Sequence, residues 1–286
     1  MGIEYEKFTT FDNINLSVKI QNNGKSEKIL LLHGFNDSKE TFQFIEKFLS
    51  EKFDIVSFDF RGHGDSDWKM GVYNYSDTLL DLHLIIENYF LEPFTVLGHS
   101  MGSSLAARYS GLFPEKVKKL VCIEGFSGIQ SMHKEREKIQ TWMNKKNGQK
   151  QRMSPNARLK EMDSIKEAVE RLSLIYSKLE KSKVEKLVLS LIKKLENGKF
   201  VWKNDPNLKL SSPIPFPPEL SRALWSNFSN PSLIVFGKET HLKSSNIDEV
   251  IQNFKNPFYV EIEGAGHNVH HDKPEELIRV LKEFLG

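Results

Sequence analysis

Short apolar runs rich in Val, Ile, Leu and Phe recur along the chain, separated by longer segments whose apolar residues return every three or four positions. The first pattern suits strands buried on both faces, and the second suits helices with one buried face. Lys28 to Leu32, Asp54 to Phe58, Phe94 to Leu97, Lys119 to Ile123, Ser232 to Phe236 and Phe258 to Ile262 read as core strands. Asn15 to Gln21 alternates in character and reads as an earlier, half-exposed strand. Helices are expected near Thr41 to Glu51, Ser76 to Phe90, Ser103 to Phe113 and Pro274 to Leu285. Such alternation predicts an α/β fold with a mostly parallel central sheet flanked by helices.

Residues 126–226 interrupt the alternation with charged helical stretches, so the expected organisation is a core of residues 1–125 and 227–286 carrying an inserted helical cap. Within Ser164 to Glu196, the residues Ile165, Ala168, Leu172, Ile175 and Leu179 make a helix-spaced stripe that reads as packing rather than a cofactor site. Beyond Asn197-Gly198, the Pro-rich stretch Lys199 to Pro218 is expected to be irregular and to lead back to the sheet.

A chain of 286 residues with 39% hydrophobic content can bury a full core, and its length suits one large domain with an insertion. No run of eighteen apolar residues occurs, and Glu4, Glu6 and Lys7 stand where a signal peptide would be apolar. Neither integral membrane association nor secretion is expected, and the protein is placed in the cytoplasm. The single cysteine, Cys122, lies in an apolar strand and reads as a small buried hydrophobe. The net charge of +2 conceals an asymmetry, because residues 126–226 hold 21 Lys+Arg against 11 Asp+Glu. That excess could steer anionic substrates, or could simply solvate Lys-rich helices. No aromatic-interleaved basic stripe points to a nucleic-acid partner.

The chemistry is concentrated in a few short segments. Gly98-His99-Ser100-Met101-Gly102 follows an apolar strand and opens a helix, the context in which a tight turn holds a nucleophilic serine above a sheet. A serine that merely capped the helix would not need a glycine on either side. Its hydroxyl requires a base. Gly264-Ala265-Gly266-His267 offers one in a loop at the carboxyl edge of the sheet, where sites in open α/β sheets lie. The neighbouring His270 and His271 read as surface residues at a helix start. Donors for an oxyanion are expected from the backbone N–H of Met101 and of Phe35, the latter in His33-Gly34-Phe35 directly after a strand.

Taken in order, Leu32-His33-Gly34-Phe35, Asp59-Phe60-Arg61-Gly62-His63-Gly64-Asp65-Ser66, Gly98 to Gly102 and Gly264 to His267 resemble the α/β-hydrolase superfamily over nearly the whole chain. Glu124-Gly125-Phe126 and Phe200-Val201-Trp202-Lys203-Asn204-Asp205-Pro206 are similar to the branch called serine hydrolase-like proteins. The resemblance implies a third, acidic member of a triad, commonly an aspartate three residues beyond the glycine that ends the strand Ser232 to Phe236. That position is Thr240. Glu124, at the end of the preceding core strand, is the first candidate for the acid, and Glu239 the second. The resemblance also makes Asp59, His63 and Asp65 part of a structural signature rather than a metal site, and no metal or organic cofactor is expected.

The expected function is therefore a serine hydrolase acting on an ester-like small molecule, a carboxylic ester or a thioester, through an acyl-enzyme on Ser100. Ser100 itself argues against a dehalogenase or epoxide hydrolase, which would resemble the pattern with an aspartate there. The rival expectation is a ligand-binding receptor on the same fold that turns over slowly or not at all.

Overall fold

The computed structural model describes residues 2–69, 71–126, 139–144, 159–176, 178–210, 216–241 and 247–286. Ten strands and nine helices are named here: β1 (Gly2–Thr9), β2 (Asn15–Asn22), β3 (Lys28–Leu32), α1 (Glu46–Ser50), β4 (Asp54–Phe58), α2 (Tyr75–Tyr89), β5 (Phe94–His99), α3 (Met101–Leu112) and β6 (Val117–Ile123) in the first half. The second half holds α4 (Ile165–Ser173), α5 (Lys181–Leu191), β7 (Ile192–Lys194), β8 (Phe200–Trp202), α6 (Pro218–Asn227), β9 (Ser232–Gly237), α7 (Ile247–Ile251), β10 (Pro257–Ile262), α8 (Val269–Asp272) and α9 (Pro274–Leu285). Eight strands form one sheet in the order β1-β2-β4-β3-β5-β6-β9-β10. The pairs of β1 with β2 and of β2 with β4 are antiparallel, and the remaining pairs are parallel.

The apolar strands recognised in the sequence fill two clusters, one on each face of the sheet. Leu30, Leu32, Val96, Leu120, Cys122 and Ile234 face α2 and α3, whereas Ile29, Leu31, Leu97, Val121, Ile123 and Val235 face α1 and α9. Strict alternation within each strand is what places its two sets of side chains on opposite faces. The strand order reverses between β3 and β5: β3 runs on to β4 on one side of the sheet, and β5 to β6 on the other. At such a switch point the loops leaving the two strands diverge, opening a crevice at the carboxyl edge.

Three sequence expectations need correction. β1 was not anticipated, because its residues are mostly exposed and form an edge strand held by pairing with β2 rather than by burial. The helix expected over Thr41 to Glu51 is reduced to α1, preceded by turns. The charged helical stretch expected within Ser164 to Glu196 is two helices, α4 and α5, followed by strand β7, which pairs with β8 in a two-stranded hairpin. Ala168 and Leu172 of the stripe are buried as expected, but Ile175 is 73% exposed, because the chain turns there. With Met162, Val184, Val188 and Leu191, these residues build a small third core over residues 159–202.

The end of the interrupting segment packs against the core of the sheet. Trp225 on α6 and Phe126 belong to the main cluster, their rings edge to face at 5.0 Å. Gly111 lets α6 lie directly on α3, since a methyl group there would overlap the Leu224 backbone carbonyl. The segment Phe200 to Pro206 is tied to the loop after β4: the Asp205 N–H donates to the Gly62 carbonyl at 2.8 Å, the Tyr73 hydroxyl donates to Asp205 at 2.6 Å, and Lys203 pairs with Asp65 at 2.7 Å. Residues 127–138, 145–158 and 211–215 of the expected cap lie outside the described residues. Among the described residues no helix is long and apolar enough to cross a membrane.

Loops at the carboxyl edge are held by buried polar groups. Arg61 pairs with Asp81 at 2.6 Å, and Lys39 reaches Asp59 at 2.6 Å and Asp65 at 3.0 Å, which leaves Asp59 and Asp65 bound to lysine. His33 donates from Nδ1 to the Gly34 carbonyl at 2.7 Å and accepts the Phe60 N–H at Nε2, 3.0 Å. Burial lowers the pKa of His33 and of His63 to about 3, and that of His271 to about 4, while it raises that of Asp37 to about 6.

Two outcomes follow from this packing. Gly111→Val should force α3 and α6 apart at a cost of about 1–3 kcal/mol, lowering the thermal midpoint by roughly 2–10 °C in a calorimetric scan. An unchanged midpoint would mean that α6 does not rest on α3. The second outcome concerns acid. Between about pH 6.5 and 4 the unfolded chain takes up protons at His33, His63 and His271 that the folded chain excludes, so stability should fall with pH. Asp37, with Asp59, Asp81 and Asp272, whose pKa burial also raises, works in the opposite direction at lower pH, whereas His99 and His270 add to the effect of the other three imidazoles. Denaturant midpoints measured from pH 7.5 to 4.5 should fall below pH 6.5. His63→Gln should flatten that slope by about 1.4 kcal/mol per pH unit, the equivalent of one proton; an unaltered slope would show that His63 is not excluded from protonation.

Candidate active site

Ser100 sits between β5 and α3 with φ +51° and ψ −111°, a backbone conformation that non-glycine residues seldom adopt. The turn is forced by contact on both sides. A methyl group on Gly98 would strike the backbone of Gly102 and Ser103, and one on Gly102 would overlap the Leu32 carbonyl, so only glycines let the start of α3 press against the ends of β5 and β3. The Ser100 N–H donates to the Ile123 carbonyl at 2.8 Å, and the Ser103 hydroxyl holds the Gly98 and Ile123 carbonyls at 2.6 and 2.9 Å. The Ser100 hydroxyl does not cap α3. It stands 3.0 Å from Nε2 of His267.

His267 lies on the loop between β10 and α8. That loop is shaped by Gly264, at φ +71°, and by Asp272, which accepts the Gly266 N–H at 2.9 Å. The Glu239 N–H donates to the Ala265 carbonyl at 3.0 Å and ties the loop to the end of β9. The Nδ1 of His267 is 3.1 Å from Oε2 of Glu124, whose side chain is completely buried.

Glu124 follows β6 with φ +55° and is anchored through its backbone N–H to the Val235 carbonyl at 2.9 Å. Its Oε1 accepts the Gly237 N–H at 2.6 Å, and its Oε2 accepts the Thr240 hydroxyl at 2.8 Å. Thr240, read in the sequence only as a position lacking an aspartate, thus supplies a donor to the carboxylate facing His267. Glu239 is placed elsewhere, its carboxylate exposed and paired with Lys178. Of the two acids weighed in the sequence, Glu124 is the one that the structure brings to His267.

Of the expected oxyanion donors, Phe35 lies on the loop after β3 and Met101 at the start of α3. Met101 opens α3, where the first amides have no partner within the helix. Gly34, next to Phe35, packs so close that a methyl group on it would come within 3.3 Å of Ser100 Cβ and 2.8 Å of His99 Nδ1. The Phe35 ring is exposed and rests edge-on against His63.

Three histidines near the site escaped the sequence reading. His270 and His271 are fully buried rather than on the surface, because short helix α8 turns inward onto Thr41: the Thr41 hydroxyl lies 3.0 Å from Nε2 of each ring. His99, the variable position of the glycine–serine motif, is buried and donates from Nε2 to the His267 carbonyl at 3.0 Å. A histidine inside that motif was the available signal, but its target is 168 residues distant in the chain.

The arrangement is a hydroxyl, an imidazole and a buried carboxylate in one hydrogen-bonded series at the topological switch of a parallel sheet. Over 270 residues, or 90% of this chain and 81% of the relative, the sequence is 24% identical to a serine hydrolase-like protein of Danio rerio. It is also 24% identical to a putative esterase/lipase of Haemophilus influenzae, over 90% of this chain and 82% of that protein. Among solved structures, the thioesterase domain from the curacin biosynthetic pathway superposes with a TM-score of 0.83 at 18% identity, covering 99% of this chain and all of that one. The family model for the α/β hydrolase fold matches residues 28–274, from the first core strand to the start of α9, and the chain belongs to that family, a hydrolase fold whose switch-point crevice holds Ser100, His267 and Glu124.

Proposed function

We propose that the protein is a serine hydrolase that cleaves an ester-like small molecule, a carboxylic ester or a thioester, with Ser100 as nucleophile, His267 as base and Glu124 as the orienting acid. One observation carries this reading: the unbroken series from Ser100 Oγ to His267 Nε2 at 3.0 Å and from His267 Nδ1 to Glu124 Oε2 at 3.1 Å. The ester-like substrate class draws on the esterase and thioesterase relatives together with this geometry.

In this reading His267 takes the hydroxyl proton as Ser100 Oγ attacks the acyl carbon, then returns it to the leaving group. Glu124 accepts the Nδ1–H and so keeps Nε2 free as the base, and its charge steadies the imidazolium that forms. Two donors, Gly237 N–H and Thr240 Oγ–H, hold the carboxylate in place. The Met101 and Phe35 N–H groups are assigned to the oxyanion of the tetrahedral intermediate. Water then hydrolyses the acyl-enzyme by the same base.

A fluorophosphonate probe should add once per chain, and Ser100→Ala should abolish the adduct; label on another residue would displace Ser100 from its role. Turnover of a short aryl ester provides the second test. Glu124→Gln should lower kcat by roughly 10³ to 10⁴, because an amide can donate to Nδ1 and trap the wrong tautomer. Glu239→Gln should cost less than about tenfold, and a reversed ranking in folded variants would move the acid to Glu239. Thr240→Val removes one of the donors to Glu124 and should lower kcat by about tenfold, at about 1.4 kcal/mol per factor of ten, with KM little changed. Wild-type kcat in that variant would remove Thr240 from the network.

A further inference from the structure

Beside the series that contains Ser100 lies a second group of buried polar side chains that the proposed hydrolysis does not use. Asp37 comes from the loop after β3, His99 from the end of β5 and His270 from α8, and all three are buried. Each can bring one ligating atom within 4.8 Å of the other two. We propose that Asp37, His99 and His270 form a binding site for one divalent transition-metal ion, with Zn²⁺ as the representative, coupled to His267 through the His99 ring.

The hydrogen bonds around the group define which nitrogens are free. The Thr41 hydroxyl gives its one proton to Asp37 Oδ2 at 2.5 Å, so the His270 Nε2 that lies 3.0 Å from the Thr41 hydroxyl oxygen must donate to that oxygen. His99 likewise spends its Nε2–H on the His267 carbonyl. The remaining nitrogens, Nδ1 of His99 and Nδ1 of His270, are then unprotonated acceptors, and both are buried without a hydrogen-bond partner. Buried acceptors that lack a donor are costly, and a cation held by the Asp37, His99 and His270 group is one way to satisfy them.

The donor set selects the cation. Neutral imidazole nitrogens with one carboxylate suit Zn²⁺, Ni²⁺ or Cu²⁺, whereas Ca²⁺ and Mg²⁺ require oxygen ligands. The Asp37 carboxylate offsets part of the ionic charge. Zinc–nitrogen bonds of about 2.0–2.1 Å place tetrahedral ligands roughly 3.4 Å apart, so atoms now up to 4.8 Å apart must close by up to about 1.4 Å on binding, with a water as fourth ligand. The contraction would draw on His99, whose opposite nitrogen holds the His267 backbone. The rival occupant is a single water molecule donating to both nitrogens.

Equilibrium dialysis of the chelator-stripped full chain against ZnCl₂ tests the site directly. About one Zn²⁺ per chain is expected, retained in Ser100→Ala and in Glu124→Gln, which alter the neighbouring Ser100 series. Asp37→Asn and His270→Gln should weaken uptake by more than about a hundredfold, the upper end of what loss of an outer hydrogen-bond partner costs. Uptake lost in the Ser100 and Glu124 variants but kept in the Asp37 and His270 variants would place the ion on the other series and overturn the proposal. No stoichiometric uptake by the folded wild type would also overturn it and leave water as the occupant. Circular dichroism establishes folding of each variant, and Co²⁺ loaded into the wild type gives a measurement independent of them. Intense visible bands of a low-coordinate site are expected, and only the weak bands of an octahedral surface ion would count against it. A final arm rests on the hydrolase reading: saturating Zn²⁺ should lower ester kcat at least tenfold in the wild type and not in His270→Gln. Unchanged wild-type turnover at full occupancy would overturn the coupling through His99. If no ester is turned over at all, the hydrolase reading fails while the binding arms still decide the site.

Discussion

A carboxylate buried without compensation is among the most expensive groups a protein interior can hold, and Glu124 sits at the centre of this fold with its side chain wholly removed from water. It is tolerated because three donors from separate parts of the chain converge on it: the Gly237 N–H at the end of β9, the Thr240 hydroxyl just beyond, and the imidazole of His267 from the loop after β10. The same contacts that satisfy the charge therefore fasten three loops at the carboxyl edge to one another. Removal of any donor leaves part of the negative charge unpaired, so the geometry around His267 is fixed by the requirement to solvate an anion with protein groups rather than water.

Backbone strain meets that requirement from the other side. Ser100, Glu124 and Phe126 all adopt positive φ at consecutive strand ends, which costs of the order of 1–3 kcal/mol at each position. Dense packing offsets the cost: the strands beneath are buried on both faces, and the Ser100 and Glu124 amides donate to carbonyls of the adjacent strands. Gly98 and Gly102 take no positive φ themselves; their contribution is close approach, which brings α3 down onto the ends of β3 and β5.

Around this centre the carboxyl-edge loops are lined with paired charges and with histidines that burial holds neutral. Lys39 with Asp59 and Asp65, and Arg61 with Asp81 and Asp12, lock the loops after β3 and β4. The Phe200 to Pro206 segment is in turn tied to the second of these loops, which places the small third core of residues 159–202 over the same edge of the sheet as Ser100. Burial is asymmetric in its effect on titration: it suppresses charge on His33, His63 and His271 but favours the protonated form of Asp37, so these groups respond to acid in opposite senses.

The sequence by itself determined the strands with two buried faces, because an unbroken apolar run has few other stable placements, and it singled out Ser100 and His267 as candidates, because glycine-flanked turns at strand ends are local features. It ranked Glu124 ahead of Glu239 as the acid but could not show which of them faces His267, which depends on what lies across the sheet. Tertiary structure separates the two by bringing β6 and β9 together, so that Glu124 meets Gly237, Thr240 and His267 while Glu239 turns outward to Lys178. It also decided what local pattern misreports: β1 has no buried face and exists through pairing, and the helical stretch expected within Ser164 to Glu196 is two helices separated by a turn that holds the exposed Ile175. His99, His270 and His271 were the least legible residues of all. Whether a histidine is a solvated helix start or a buried donor depends on partners such as Thr41 and the His267 carbonyl, which lie some 170 to 230 residues away in the chain and reach it only once the loops at the sheet edge have closed.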